Sequence, residues 1–235
     1  MGPRALPVAV IATLKTSGEF PMTLKLYGSD LSPYVSRCRM QFLAKGLDVE
    51  LLDPPNGLKS DEFTAMNPIQ KMPTLEFDGW FLPESDVICE YIEDTHPTPS
   101  LRPSDAKACA QMRLLSRIGD LYVVPAFGPL FGQMRAAEPD KGIVDKAIED
   151  STKTLGWLEA FIGTDGFAVG KSLSLADCAL VPIMFFVDML LPQFGNNPYD
   201  SCPNLKKYWD AIRKTSEAEQ TLSRMGEGMK RMRQG

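Results

Sequence analysis

The chain of 235 residues has one histidine, His96, and five scattered cysteines, and these scarcities exclude a good deal of chemistry. A single imidazole cannot build a His-rich metal centre, and it leaves little room for a Ser-His nucleophilic pair. His96 lies in Asp94-Thr95-His96-Pro97, where the following proline should end a helix, so it reads as a solvated residue near a helix C-terminus. Cys38, Cys89, Cys109, Cys178 and Cys202 are odd in number and form no CxxC pair, as expected of reduced, mostly buried thiols in a cytoplasmic protein. Basic charge is also scarce: 25 Lys and Arg stand against 30 Asp and Glu, so no field for nucleic acid is expected. No internal repeat occurs. Ala5 to Leu14 loosely resembles a secretory core after Arg4, but it contains Pro7, and Lys15-Thr16-Ser17-Gly18 offers no small-x-small cleavage site. Residues 1–21 therefore read as a disordered extension, with Met22 opening the folded unit. No other stretch looks long and apolar enough to span a membrane, and no membrane partner is expected. At 44% hydrophobic residues the chain can still bury a core, in one large domain or two of about 100 residues.

The most informative stretch runs from Asn67 to Ser85. Thr74 to Phe77 alternates polar and apolar, as a strand with one buried face should. Asp78-Gly79 is a hairpin signal because both central residues of that turn take positive φ, and Trp80 to Leu82 is the return strand. Pro73 stands before the first strand, in the one bond type that tolerates cis. A cis Met72-Pro73 bond would turn the Met72 amide and carbonyl outward, free to pair with an extended peptide. Pro83-Glu84-Ser85 then places a carboxylate and a hydroxyl among the free amides of a helix start. Such a set suits a small peptide carrying its own α-amino and α-carboxylate groups.

Before this stretch, Thr23–Tyr27 reads as a strand, and Ser32-Pro33 opens a helix as N-cap and N1. Val35, Cys38 and Phe42 fall at helical spacing, Lys45 lies in the last turn, and Gly46 supplies the stop. Val49–Leu52 is the second strand, Lys59–Met66 a short helix, and Ser85–Thr95 the last helix of a β-α-β-α-β-β-α unit over residues 22–97. Residues 98–108, rich in proline at the start, read as a linker. Long helical patterns follow over residues 109–220: Asp105–Tyr122, its continuation bent by Pro125 and Pro129, then Gly142–Ile162, Asp177–Leu191 and Asn204–Glu217. Ser174-Leu-Ala-Asp177 is a capping box, with Leu173 able to staple against Cys178. Residues 221–235, with Met225, Met229 and Met232 among basic residues, form a tail that either covers a cleft or hangs free.

In order, these parts resemble the cytosolic glutathione transferase family across about residues 22–220. The family's fold is a thioredoxin-like α/β domain followed by an all-α domain. Its proline before the third strand is cis, and its Glu-Ser pair, here Glu84 and Ser85, holds the γ-glutamyl end of glutathione. Ser32-Pro33-Tyr34-Val35-Ser36-Arg37-Cys38-Arg39 is similar to the helix start of the tau class, of the zeta class, and of the omega class with cysteine in place of Ser32. The resemblance makes glutathione the co-substrate and Ser32 the residue that activates it, with no metal. Met72 and Pro73 would meet the peptide. Lys59, in Lys59-Ser60 followed by Met66-Asn67-Pro68, would pair with the glycine carboxylate, and Lys71 could assist. The loop before Pro73 has the shorter omega-like length, so which lysine meets the carboxylate stays open. Tyr34, Tyr122, Phe127, Phe131 and Met134 would line a pocket for a small hydrophobic electrophile. A homodimer is also implied.

The chemistry can be weighed. Lowering a thiol pKa from about 8.5 to about 6.5 takes about 2.7 kcal/mol. A hydroxyl donating to the thiolate supplies roughly 1.5–3 kcal/mol, and a helix N-terminus roughly 0.3–1 kcal/mol more. Together these suffice, with no histidine or metal required. Tyr27, at the end of the first strand, is the other candidate donor; Ser29 and Ser36 are placed less well. One activated thiolate serves conjugation, ether cleavage, isomerisation and peroxide reduction alike. The alternative is a non-catalytic member that keeps the fold for glutathione binding or protein docking.

Overall fold

The computed structural model describes residues 24–234; the reading of residues 1–21, and of Met22 as the start, lies outside them. Leu24 and Leu26 are buried while Lys25 and Tyr27 are half-buried, the alternation of a strand with one face on the core. This strand, β1 (Leu24–Tyr27), sits at the centre of a sheet ordered β2-β1-β3-β4, with β2 (Val49–Leu52), β3 (Thr74–Phe77) and β4 (Trp80–Pro83). It runs parallel to β2 and antiparallel to β3, which pairs antiparallel with β4. The hairpin turn is as its residues require, with φ of 48° at Asp78 and 74° at Gly79.

Helix α1 (Pro33–Lys45) starts at Ser32, whose Oγ accepts from the Val35 amide, and stops at left-handed Gly46. Helix α2 (Asp61–Met66) is capped by Ser60, two residues later than its sequence suggests, and α3 (Ser85–Thr95) follows β4 directly. This is the thioredoxin-like unit. Its join to the helical part is fastened, not loose. The Lys45 ammonium lies 2.8 Å from a Glu93 carboxylate oxygen, both buried, and donates to the carbonyls of His96 and Pro99. Glu93 in turn accepts from the Leu101 amide at 2.8 Å.

The rest is helical. Helix α4 (Ala106–Ile118) ends earlier than expected and passes through a π-helical turn (Gly119–Val123) into α5 (Val124–Phe127) and α6 (Leu130–Arg135). Helix α7 (Lys141–Phe161) begins at Asp140, whose carboxylate accepts from the Gly142 and Ile143 amides. Helix α8 (Leu175–Leu190) opens with the capping box and packs against α1. The Asp177 carboxylate, fully buried, accepts from the Ala168 and Ser174 amides and the Ser174 hydroxyl; burial pushes its pKa up to about 6. Contrary to expectation, Leu175–Phe194 is long and apolar enough to cross a bilayer, with mean hydropathy 1.9. Most of it is buried in the protein, so it is the core helix.

Helix α9 (Pro203–Ile212) ends five residues before the sequence pattern suggests, and α10 (Ser216–Gln234) takes up the supposed tail. Ala218, Thr221, Met225 and Met229 recur at three- and four-residue spacing and are all buried. The helix packs on α1 and α8, with Gly228 against Leu31.

Candidate functional site

The loop before β3 and the start of α3 face each other at one end of the sheet. Asn67, wholly buried, shapes the loop: its amide donates to the Lys71 carbonyl and the Thr74 hydroxyl, and its side-chain oxygen accepts from the Ile69 amide. The Met72-Pro73 bond is cis. Across from it, Glu84 has φ of 69°, rare for a residue with a side chain, and stands as N-cap of α3 without a side-chain capping bond. Holding a residue there costs on the order of 1–3 kcal/mol, a cost that clusters at ligand sites.

Lys71, Met72, Pro73, Pro83, Glu84, Ser85 and Tyr34 together line a polar cleft of about 310 Å³. Asp86, Arg117, Asp120 and Leu121 complete its lining, and sequence reasoning missed all four. Asp86 carried a faint signal as the residue after Ser85 at a helix start. Burial pushes its carboxyl up from the ordinary range. Arg117, Asp120 and Leu121 arrive from the helical part, with no local pattern to announce them. Lys59 is exposed and does not line the cleft, whereas Lys71 does.

Beneath the cleft, Arg37 is 2% exposed and grips Asp120 with two guanidinium nitrogens, one at 2.9 Å. Burial disfavours its charge, but Asp120 more than offsets this and the pKa is raised. The same guanidinium donates to Ser85 Oγ at 3.4 Å. Because arginine only donates, the Ser85 hydroxyl keeps its own proton for another acceptor.

A second, apolar cavity of about 290 Å³ adjoins α1, lined by Leu31, Pro33, Tyr34, Val124, Phe127, Phe131 and Phe186, with Met229 and Met232 of α10. The former tail therefore walls a cavity. Tyr34 borders both spaces. Ser32 lies between residues that line the apolar cavity but is not itself in either lining. Met134 lines a neighbouring cavity instead. Tyr122 is a correction: it is 46% exposed and packs edge-on against Trp157 of α7, with ring centroids 5.1 Å apart. The Tyr27 hydroxyl donates to Glu76 at 2.7 Å; burial and this carboxylate push its pKa up to about 12.

Two family models match this arrangement: glutathione S-transferase, N-terminal domain, over residues 26–100, and glutathione S-transferase, C-terminal domain, over residues 115–215. The chain belongs to the glutathione S-transferase family. Glutathione S-transferase F13 of Arabidopsis thaliana is 28% identical over 203 residues, covering 81% of this chain and 91% of that relative. Maleylacetoacetate isomerase of Rattus norvegicus is 32% identical over 154 residues, covering 62% of this transferase and 69% of the isomerase. Among solved structures, glutathione transferase F7 from Populus trichocarpa is similar with a TM-score of 0.72 at 28% identity, covering 86% of this transferase and 99% of that chain.

Proposed function

We propose that this glutathione transferase holds the thiolate of its co-substrate against the Ser32 hydroxyl and presents it to a hydrophobic electrophile in the apolar cavity. The observation that carries the reading is the state of the two rival hydroxyls. Tyr27 spends its proton on Glu76. Ser32 Oγ accepts from the Val35 amide at 3.4 Å, so its proton remains free to donate to an anion at the helix N-terminus. In the polar cleft the tripeptide lies extended. Lys71, which lines the cleft, takes the glycine carboxylate; the Met72 backbone beside Pro73 pairs with the cysteinyl unit. The γ-glutamyl carboxylate takes the Ser85 proton, and Glu84 or Asp86 meets the α-amino group. The thiolate then points towards Tyr34, Phe127 and Phe131.

Serine donates a hydrogen bond and is not the nucleophile, which gives a test. Thiol-disulfide exchange needs a sulfur at position 32, so wild type should exchange glutathione with a mixed disulfide poorly and Ser32→Cys at least about tenfold faster. An unchanged rate in Ser32→Cys would sink this placement of the sulfur.

We also infer that two copies pair through β4, α3 and α4. Trp80, Val87 and Leu114 are each 39–49% exposed on these elements. The ion pair of Arg113 on α4 with Glu90 on α3, at 3.2 Å, holds two of the three side by side. Scattered exposed residues are ordinary, but a contiguous apolar face marks an interface. Sedimentation equilibrium at micromolar protein should give twice the mass of one chain, and Val87→Asp should halve it; a wild-type monomer would refute the pairing.

A further inference from the structure

Among the described residues the apolar cavity carries one charged group, Arg135. Arg135 closes the last turn of α6, lines this cavity beside Phe131 and Met232, and also lines the neighbouring space with Met134 and Gln193. Its Nη2 lies 3.4 Å from Met232 Sδ, and no carboxylate among the described residues pairs with it. A cation in the last turn complements the helix dipole, which accounts for its position in the sequence. The dipole does not account for an exposed guanidinium set on the rim of an apolar cavity, 3.4 Å from a thioether.

We propose that Arg135 selects electrophiles that carry a carboxylate or sulfonate on an otherwise apolar body. Binding cavities are mostly apolar, and the few polar groups in them fix which way the ligand lies. The guanidinium fork matches a planar carboxylate with two parallel hydrogen bonds. With the anion held at Arg135, the apolar body extends past Phe131 and Phe127 towards Tyr34, where the two spaces meet. The cavity volume, about 290 Å³, lies at the small end for ligand sites, so the body is a single ring or a short chain. Among the described residues no acidic side chain lines this cavity, whereas the polar cleft holds Glu84, Asp86 and Asp120. An anionic electrophile is therefore steered to the right space. This inference rests on reading the apolar cavity as the electrophile site.

A matched pair of substrates tests it: a chlorodinitrobenzoic acid and its methyl ester. In both, the thiolate attacks the ring carbon bearing chlorine, the carbon–sulfur bond forms, and chloride leaves with its electron pair. Arg135→Gln should lower kcat/KM for the acid about five- to tenfold and for the ester less than about twofold, with Arg135→Lys restoring part of the difference. The KM for glutathione should not move. A parallel fall for acid and ester would mean a packing role and overturn the proposal, as would no change in either. Dissociation constants of both compounds on protein saturated with S-methylglutathione, which cannot react, separate this idea from the Ser32 reading. Acid-selective binding that Arg135→Gln abolishes upholds Arg135 even if Ser32 proves dispensable. Binding indifferent to residue 135, or no binding of either compound, refutes it whatever Ser32 does.

Discussion

Alanine at position 32 should cut conjugation of a neutral aryl halide about 8- to 25-fold at pH 7, and the deficit should vanish above about pH 9. The magnitude follows from thiolate population. With the bound thiol near pKa 6.5, about three quarters is ionised at pH 7; without the hydroxyl it returns to about 8–8.5, and roughly 3–9% is ionised. The sign is fixed by the direction of the shift. A depressed pKa keeps wild type active until pH falls through about 6.5, whereas the variant loses activity through about 8. The less stabilised thiolate is also the stronger nucleophile, which narrows the gap further in alkali. The KM for glutathione should change little, since the tripeptide is held mainly in the polar cleft. Tyr27→Phe serves as the control, because that hydroxyl is bonded to Glu76. Superimposable pH–rate profiles for wild type and Ser32→Ala would refute the serine mechanism.

The sequence exposed those features whose signal is local. Ser32-Pro33, Asp78-Gly79 and the Ser174–Asp177 box each work within four residues, and the structure has a cap, a positive-φ turn and a closed box there. The cis bond at Met72-Pro73 belongs to the same group. Features that depend on distant partners were hidden. Lys45 read as a last-turn cation of α1; it is instead a buried ion-pair partner of Glu93, 48 residues away in the chain.

Tyr122 shows how a small local change can defeat a correct pattern. Met112 and Leu115 face the core, and an unbroken α-helix would bring Tyr122, seven residues after Leu115, to the same face. The π-helical turn over Gly119–Val123 inserts one residue, which rotates everything after it by about 100°. Val123 takes the buried position and Tyr122 faces outward. Helix α10 was hidden for another reason. Gly226 and Gly228 lower its intrinsic helix propensity, and its buried stripe of Ala218, Thr221, Met225 and Met229 is only weakly apolar. Its helix is held by packing on α1 and α8 rather than by local preference.

The second large effect belongs to Arg37, spelled out in the sequence motif yet with no visible partner there. Arg37→Met should destabilise the protein by about 3–5 kcal/mol, because it strands the Asp120 carboxylate, whose side chain is only 12% exposed. In a protein of this size that lowers Tm by roughly 6–20 °C. The pair joins α1 of the thioredoxin-like unit to the turn after α4, 83 residues away, so the loss falls on the seam beneath the polar cleft. Asp120→Leu added to Arg37→Met should recover most of the stability, since removing both charges ends the cost of burying one alone. Recovery of glutathione affinity should not follow. Ser85 loses the donor that orients its hydroxyl in both variants, so the KM for glutathione should stay raised after Tm returns. Calorimetry and glutathione kinetics on the single and double variants therefore separate the two jobs of this arginine. If affinity returned together with stability, Arg37 would only hold the fold, and Ser85 would need no partner beneath it.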